Sequence, residues 1–266
     1  MRIVRVEDEA EYGVALGSIL VSLLEPEAGQ GVAFHRWYER DHFYSGVMFG
    51  SWFFAGRRFV ATRRLKDLRF PPETPVIDDV MKGSYLALYW ITDGRHAEAE
   101  AWAVEQVNQL IAQDRMLPSR RQAMAGFYHH RYTVRRDTDG VPPELALDHP
   151  FAGAILVMVD RNDDVEGEAF DTWCRETYLP ARLEGSAAAI CVVLEPVPLP
   201  DDAPSYVVRP EGLERRSLHL YFVESDPEAC WQELVVNAQP ERGRISYAAG
   251  FIPTIPGSDR YADELW

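Results

Sequence analysis

The chain is short of basic residues and of cysteine, and it has no long apolar run. Its 266 residues carry 27 Lys and Arg against 42 Asp and Glu, a formal net charge of −15. A surface of that sign repels phosphate backbones and anionic bilayers, so neither nucleic acid nor a membrane is expected as a partner. On the plainest reading the charge serves solubility. No apolar stretch approaches the ~20 residues of a membrane span. Met1–Glu11 mixes charges of both signs and holds no apolar segment, so it does not read as a secretory signal. The three cysteines, Cys174, Cys191 and Cys230, show no CxxC spacing. They point to free thiols in a reducing cytoplasm rather than to a disulfide or zinc framework. HxH, HxxxH and HExxH are also missing, so no metal site is expected. Without GxGxxG, a Walker loop or GxSxG, nucleotide cofactors and serine hydrolysis lose their usual support.

What the chain does have is an echo. Phe34–Tyr44 and Phe170–Pro180 each follow an apolar run and a turn, and Trp37 and Trp173 lie 136 positions apart. At that shift Gly17, Ile19, Leu20, Val21, Gly31, Ala33, Phe34 and Trp37 are all repeated without a gap. Chance would supply roughly one such match, so the pattern reads as an architectural repeat. Leu86–Tyr89 echoes Leu218–Tyr221, and Ala125–Phe127 echoes Ala249–Phe251, at progressively smaller shifts. Hydrophobic content of 47% is enough for folded cores and argues against global disorder.

The local patterns give the same order twice. Gly17–Leu24 reads as a strand, Val32–Gly46 as a helix, and Arg58–Leu65 as a strand with basic residues near its ends. After a proline-containing loop at 67–82 come a strand at Ser84–Ile91, a helix at His96–Gln113 and a strand at Phe127–Val134. Residues 135–150 read as a linker. Strands at Ala152–Val159, Ala188–Leu194 and Ser217–Val223 follow, with helices at Gly167–Gly185 and Asp226–Asn237 and a Pro-rich loop at 195–214. The expected division is an N-terminal extension (1–16), a first repeat (17–134), the linker (135–150), a second repeat (151–252) and a tail without counterpart (253–266). Two tandem ferredoxin-like βαββαβ repeats result, an α+β fold whose antiparallel sheets pack face to face as an intramolecular α/β barrel.

A strand followed by a helix carrying Trp37, Tyr38 and His42, inside such a unit, resembles the dimeric α/β-barrel superfamily and, within it, the EthD-like branch. The second half keeps Trp173 but has Cys174 and Tyr178 in place of Tyr38 and His42. The resemblance implies two units pairing face to face around a cavity, with at most one complete Trp-Tyr-x-x-x-His site per chain. Superfamily members include cofactor-free oxygenases, polyketide cyclases, lactone isomerases and haem enzymes, so the fold alone transfers no single activity.

In ideal α-helical register, Phe34, Trp37, Tyr38, Asp41 and His42 share one face. A cavity-facing His42 would titrate near neutrality and serve as acid or base, with Tyr38 and Asp41 positioning it. The alternative is a structural histidine favoured by a helix C-terminus. Tyr178 offers a phenolic donor, or else an aromatic cover for a helix end. Trp37 and Trp173 read as core, with a ligand-platform role as the alternative. His219 lies on the strand face opposite Leu218 and Leu220, and either face could line the cavity.

The expected function is binding of a small apolar or aromatic metabolite. It comes with or without proton-transfer chemistry as an isomerase, cyclase, decarboxylase or oxygenase. No cofactor is expected; haem, on His42, His130 or His219, is the alternative. A homodimer stays open. A third reading is a barrel filled by its own side chains, acting through its surface.

Overall fold

The computed structural model describes residues 5–7, 13–199 and 211–266, with side chains from residue 13 onward. The expected extension (1–16) and Pro-rich loop (195–214) therefore lie partly outside the described residues. The first half contains β1 (Arg5–Glu7), β2 (Leu16–Pro26), α1 (Gly31–Trp37), β3 (Phe53–Val60), α2 (Arg63–Lys66), β4 (Tyr85–Thr92), α3 (His96–Ala112) and β5 (Arg120–Arg135). The second contains β6 (Gly153–Arg161), α4 (Gly167–Trp173), α5 (Leu179–Leu183), β7 (Ala188–Pro196), β8 (Arg216–Val223), α6 (Pro227–Trp231) and β9 (Gly243–Pro253). Among the described residues no helix is long and apolar enough to cross a membrane.

Strand order is β5-β2-β4-β3 in the first half and β9-β6-β8-β7 in the second, the 4-1-3-2 order of a ferredoxin-like unit in each. The units meet at two seams. β5 pairs with β7 from Tyr128–Pro196 to Arg135–Ile190, while β3 meets β9 only at Phe59–Pro253 and Val60–Ile252. These seams close eight antiparallel strands into one barrel and leave neither sheet an open edge there. β5 can serve both β2 and β7 because it is 16 residues long. It begins at Arg120, seven residues before the start expected at Phe127. β1 lies beside its far end.

Side-chain alternation assigns the two faces of each strand. Leu86, Leu88 and Trp90 of β4 point into the barrel with Leu218, Leu220 and Phe222 of β8. Tyr128, Tyr247 and Phe251 join them. The linker adds Leu147, the residue after it adds Phe151, and the loop after α2 adds Ile77, all to the same buried cluster. The Trp90 Nε1 donates to the Pro143 carbonyl at 2.8 Å, tying the linker to the interior. Among the described residues the interior is therefore filled rather than enclosing the expected cavity. Bulky side chains, including three whole aromatic rings from β5 and β9, occupy the space. A recess of about 40 Å³ beside Met124, Tyr128 and Met158 is the opening found at its margin.

The outer faces are covered by helices. Ala87, Tyr89 and Ile91 lie under α1 and α3, and Val157, Val193 and Tyr221 lie under α4 and α6. His219 belongs to this outer face, so it does not line the barrel.

Two expectations about register are corrected. The strand expected at 58–65 is β3 at Phe53–Val60, and residues 63–66 form α2. Its arginines sit in mid-strand, one bonded to carbonyls and the other covered by an aromatic ring. Arg57 donates to the carbonyls of Leu147 and His149, and Arg58 lies over the Tyr38 ring. The second correction concerns the echo. At a shift of 136, Ile19 and Val21 match Ile155 and Val157, yet the first pair faces the barrel and the second faces the helices. Leu20 pairs with Tyr89 where Ile155 pairs with Tyr221, so the strands correspond at a shift of 135. A one-residue slip exchanges the faces of a strand, and spatial packing overrides the sequence identities.

The tail (253–266) folds back over α1. Leu265 is fully buried, the Arg63 N–H donates to the Glu264 carbonyl, and the Gly257 N–H donates to Glu39. A Cβ at Gly31 would lie 2.3 Å from the Ala262 carbonyl oxygen, so only glycine admits the tail at this closeness.

Candidate functional site

The helix expected at Val32–Gly46 is α-helical only to Trp37. Tyr38–His42 then forms a π-turn, in which the Phe43 N–H bonds to the Tyr38 carbonyl, and Tyr44–Met48 forms another. An α-helix would set residues 37 and 42 well apart around its axis. The wider π-turn lays them on one another: the His42 and Trp37 rings stack at 4.6 Å and 19°. The second half repeats the device. Cys174–Tyr178 is a π-turn, and Tyr178 stacks on Trp173 at 5.0 Å and 24°. Such π-turns recur at functional sites.

Around Trp37 and His42 the first half gathers polar groups beneath a helix. Tyr38 and Tyr89 share a hydrogen bond between hydroxyls at 2.9 Å. Arg58 lies 4.7 Å from the Tyr38 ring and 5.5 Å from the Tyr85 ring. Arg120 covers Trp37 at 5.5 Å, and the Trp37 Nε1 donates to the Arg115 carbonyl at 2.8 Å. Ser22, opposite Ala87 on the sheet, adds a hydroxyl beside Tyr38. Three buried polar atoms here have no partner among the described residues: His42 Nδ1, Arg120 Nε and the Tyr85 hydroxyl.

Burial sets the electrostatics. It pushes the His42 imidazole down to about 4, with Arg120 adding to the effect and Asp41 opposing it. His42 is thus neutral at physiological pH. Burial also raises Tyr38 and Tyr89 above the usual phenol range, while Arg58 pulls Tyr38 back.

The residues singled out from sequence fall into two groups. Trp37, Tyr38 and His42 are brought together. Asp41 points elsewhere: it accepts from Arg115 and Ser45, and the Arg115 hydrogen bond holds its carboxyl below the usual range. In the second half, Trp173, Tyr178 and His219 form a separate cluster, with Tyr178 and His219 rings 6.4 Å apart. The Tyr178 hydroxyl donates to the Ala238 carbonyl, which occupies it structurally. His219 Nε2 lies 3.1 Å from Ser217 Oγ, and burial brings this imidazole to about 4 as well. Both tryptophans, expected in the core, are half-buried, because the π-turn holds each at the helix flank; Arg120 and Arg242 cover them.

The two halves act as controls for one another. Where the first has Ser22, Arg58, Ala87 and Tyr38, the pairing register places Val157, Val193, His219 and Cys174 in the second. One backbone arrangement therefore carries a polar fill on one side and a largely apolar fill on the other. Arg58, Tyr85, Tyr89 and Arg120 were not singled out from sequence. Arg58 was hidden by the misplaced strand, and Arg120 by the late start assigned to β5.

Clefts on the described surface lie elsewhere. One of about 550 Å³ is lined by Glu25, Lys66, Arg121 and Trp266. Another of about 560 Å³ runs along α4 beside Trp173 and Thr177, and a third of about 430 Å³ lies by Arg131 and Arg215. None opens onto His42, and none is lined by histidine. Among the described residues no group of three His, Cys, Asp or Glu side chains could hold a metal ion.

No family model matches the chain, and no curated protein matches its sequence. Solved structures match its fold. A candidate chlorite dismutase, TA0507, superposes with a TM-score of 0.53 at 11% identity, over 95% of this chain and 100% of that one. An anthrone oxidase-like protein gives 0.48 at 10% identity, covering 92% and 95%. A candidate monooxygenase of Fusobacterium nucleatum gives 0.48 at 7%, covering 90% and 93%. At such identities only the fold is shared, and it is that of the ferredoxin-like α/β barrels, closed here within one chain.

Proposed function

We propose that the layer between α1 and its sheet is a small-molecule site and that the protein is an EthD-like, cofactor-free enzyme of proton transfer. The observation that supports this is the asymmetry between the halves. Polar groups collect under α1 and three of their atoms lack partners among the described residues, whereas the equivalent place under α4, packed with valine, cysteine and histidine, leaves one, His219 Nδ1. Unpaired buried polar atoms are costly, and they persist where a ligand or water completes them.

His42 is the base. It is neutral at physiological pH, so its unpartnered Nδ1 can offer a lone pair. The stack on Trp37 fixes the ring plane. A C–H proton of the substrate would pass to His42, and the electron pair left behind would move onto a neighbouring carbonyl oxygen. The Tyr38–Tyr89 hydroxyl pair would donate to that oxyanion, with Arg58 alongside. Return of the proton to another atom of the substrate completes an isomerisation and regenerates neutral His42. In a cyclisation the carbanion carbon would first bond to a second carbonyl carbon of the same molecule, and the alkoxide oxygen so formed would take the proton. Asp41 is engaged by Arg115, so its contribution is through space.

Haem fits these residues poorly. His42 is covered by Trp37, His219 is buried beneath α4, and His130 Nε2 is 2.9 Å from Thr133 Oγ1. No step is therefore routed through it. The second reading is a binding protein with the same site and no turnover.

The test is a screen of activated aromatic and alicyclic carbon acids for solvent-deuterium exchange and turnover, with circular dichroism as a fold control. His42→Ala should lose at least ~100-fold in rate, the scale of general-base contributions. Equal rates in both proteins would remove His42 from the mechanism. Saturable binding with no exchange in either would leave the binding protein.

A further inference from the structure

We infer that the site under α1 takes its ligand as an anion, a small aromatic acid whose carboxylate is received by Arg58 and Arg120. The inference rests on the proposed small-molecule reading of that site and names the class of ligand.

Other buried cations of this chain have close acceptors, carboxylates for Arg216 and Lys66 and carbonyls for Arg69. Arg216 makes a two-pronged ion pair with Asp160 at 2.7 and 3.0 Å. Lys66 meets Glu25 at 3.4 Å and Ser84 at 3.0 Å. Arg69 donates to the carbonyls of Val80, Lys82 and Gly83. Arg58 is 7% exposed, yet among the described residues its side chain has only two long hydrogen bonds, to the His35 carbonyl at 3.3 Å and to His35 Nδ1 at 3.4 Å. Arg120 has no hydrogen bond or ion pair among the described residues, and its Nε is buried. The nearest acids are already committed. Glu39 faces His35 at 3.3 Å and Asp41 is held by Arg115.

Among the described residues no carboxylate is hydrogen-bonded or ion-paired to either cation, and Glu39 acts on Arg58 only through space. Burying the Arg58 charge without its opposite costs several kcal/mol, and a ligand carboxylate shared with the half-buried Arg120 would recover that cost. Stacking does not replace the carboxylate. A guanidinium lies on an aromatic ring by its face and keeps its N–H edge free to donate. Both cations flank the same aromatic group: Arg58 lies over Tyr38, and Arg120 over Trp37, whose ring is 5.6 Å from that of Tyr38. Trp37, Tyr38, Tyr89 and His42 would meet the flat body of the acid. The second half lacks the pair, since Val193 stands where Arg58 does.

The probes are benzoate, salicylate and neutral benzamide, titrated into the full chain by calorimetry and ligand-observed NMR. Benzoate and salicylate should bind at least ~10-fold more tightly than benzamide, the scale of a charge-assisted hydrogen bond. Arg120→Gln should weaken benzoate by ~10-fold or more and leave benzamide within about twofold. Arg58→Gln should do the same if circular dichroism shows it folded. Arg242→Gln, which uncovers Trp173 in the other half, should leave benzoate binding unchanged. Equal affinity for benzamide, an unchanged Arg120→Gln, or no benzoate binding at about 10 mM would each overturn the inference. These titrations read binding and the His42 screen reads turnover, so the failure of either is distinguishable from the failure of the other.

Discussion

His219 gives the chain a defined weakness to acid. It is 1% exposed, lies beneath α4, and keeps its imidazole neutral down to about pH 4. In the unfolded chain the same ring protonates near 6.5. Between those values the unfolded state binds a proton that the native state refuses, so stability falls as pH falls. At about pH 5 the difference amounts to about 2 kcal/mol for this one residue. His42 has the same depressed value and adds a similar amount. His35, His96 and His130 are lowered too and act in the same direction. The perturbation is His219→Gln, whose amide can still reach Ser217 Oγ but does not titrate. Urea melts at about pH 7.5 and about pH 5 give the loss for each protein. Whatever the variant costs at neutral pH, its acid-induced loss should be smaller than the parent's by about 2 kcal/mol. Equal losses would mean that His219 is accessible to protons in the native state, and the packing argument for the second half would fail.

Trp90→Ala should cost about 3–5 kcal/mol, because Trp90 is fully buried and holds the linker, whereas Trp173→Ala should cost about 2 because its indole is half-exposed. Urea melts that reverse this order would show that the helix flanks, not the interior, carry the stability. Residues 1–140 expressed alone should aggregate or form a homodimer, because both seams and the Leu86–Trp90 face would be uncovered. A stable, soluble monomer on sedimentation would refute that.

Much of the architecture was determined by sequence. Compact apolar runs at Gly17–Leu24 and Ser84–Ile91 placed strands whose ends the structure moves by only one or two residues. The recurrence of strand, helix, strand, strand, helix, strand named the ferredoxin-like unit, and duplication within one chain supplied its partner. Apolar residues on both faces of β4 required cover on both sides. These are local and periodic signals, and they survive folding because each strand must hide the same face wherever it lies.

Tertiary structure decided what periodicity cannot carry. Alternation set His219 opposite Leu218 and Leu220, and only the closed barrel decided that the leucine face is the inner one. The true shift of the first strand, 135 rather than 136, followed from pairing with Tyr89 and Tyr221, since identities alone cannot tell a face from its opposite. The π-turn after Trp37 moved His42 onto the indole, and no α-helical wheel contains that step. Arg58 and Arg120 became one site only when β3, β5 and α1 converged on it, from positions 62 residues apart in the chain. A charged residue's neighbours are set by the folded chain around it, so whether a buried cation is paired or waiting for an anion is a property of the tertiary structure alone.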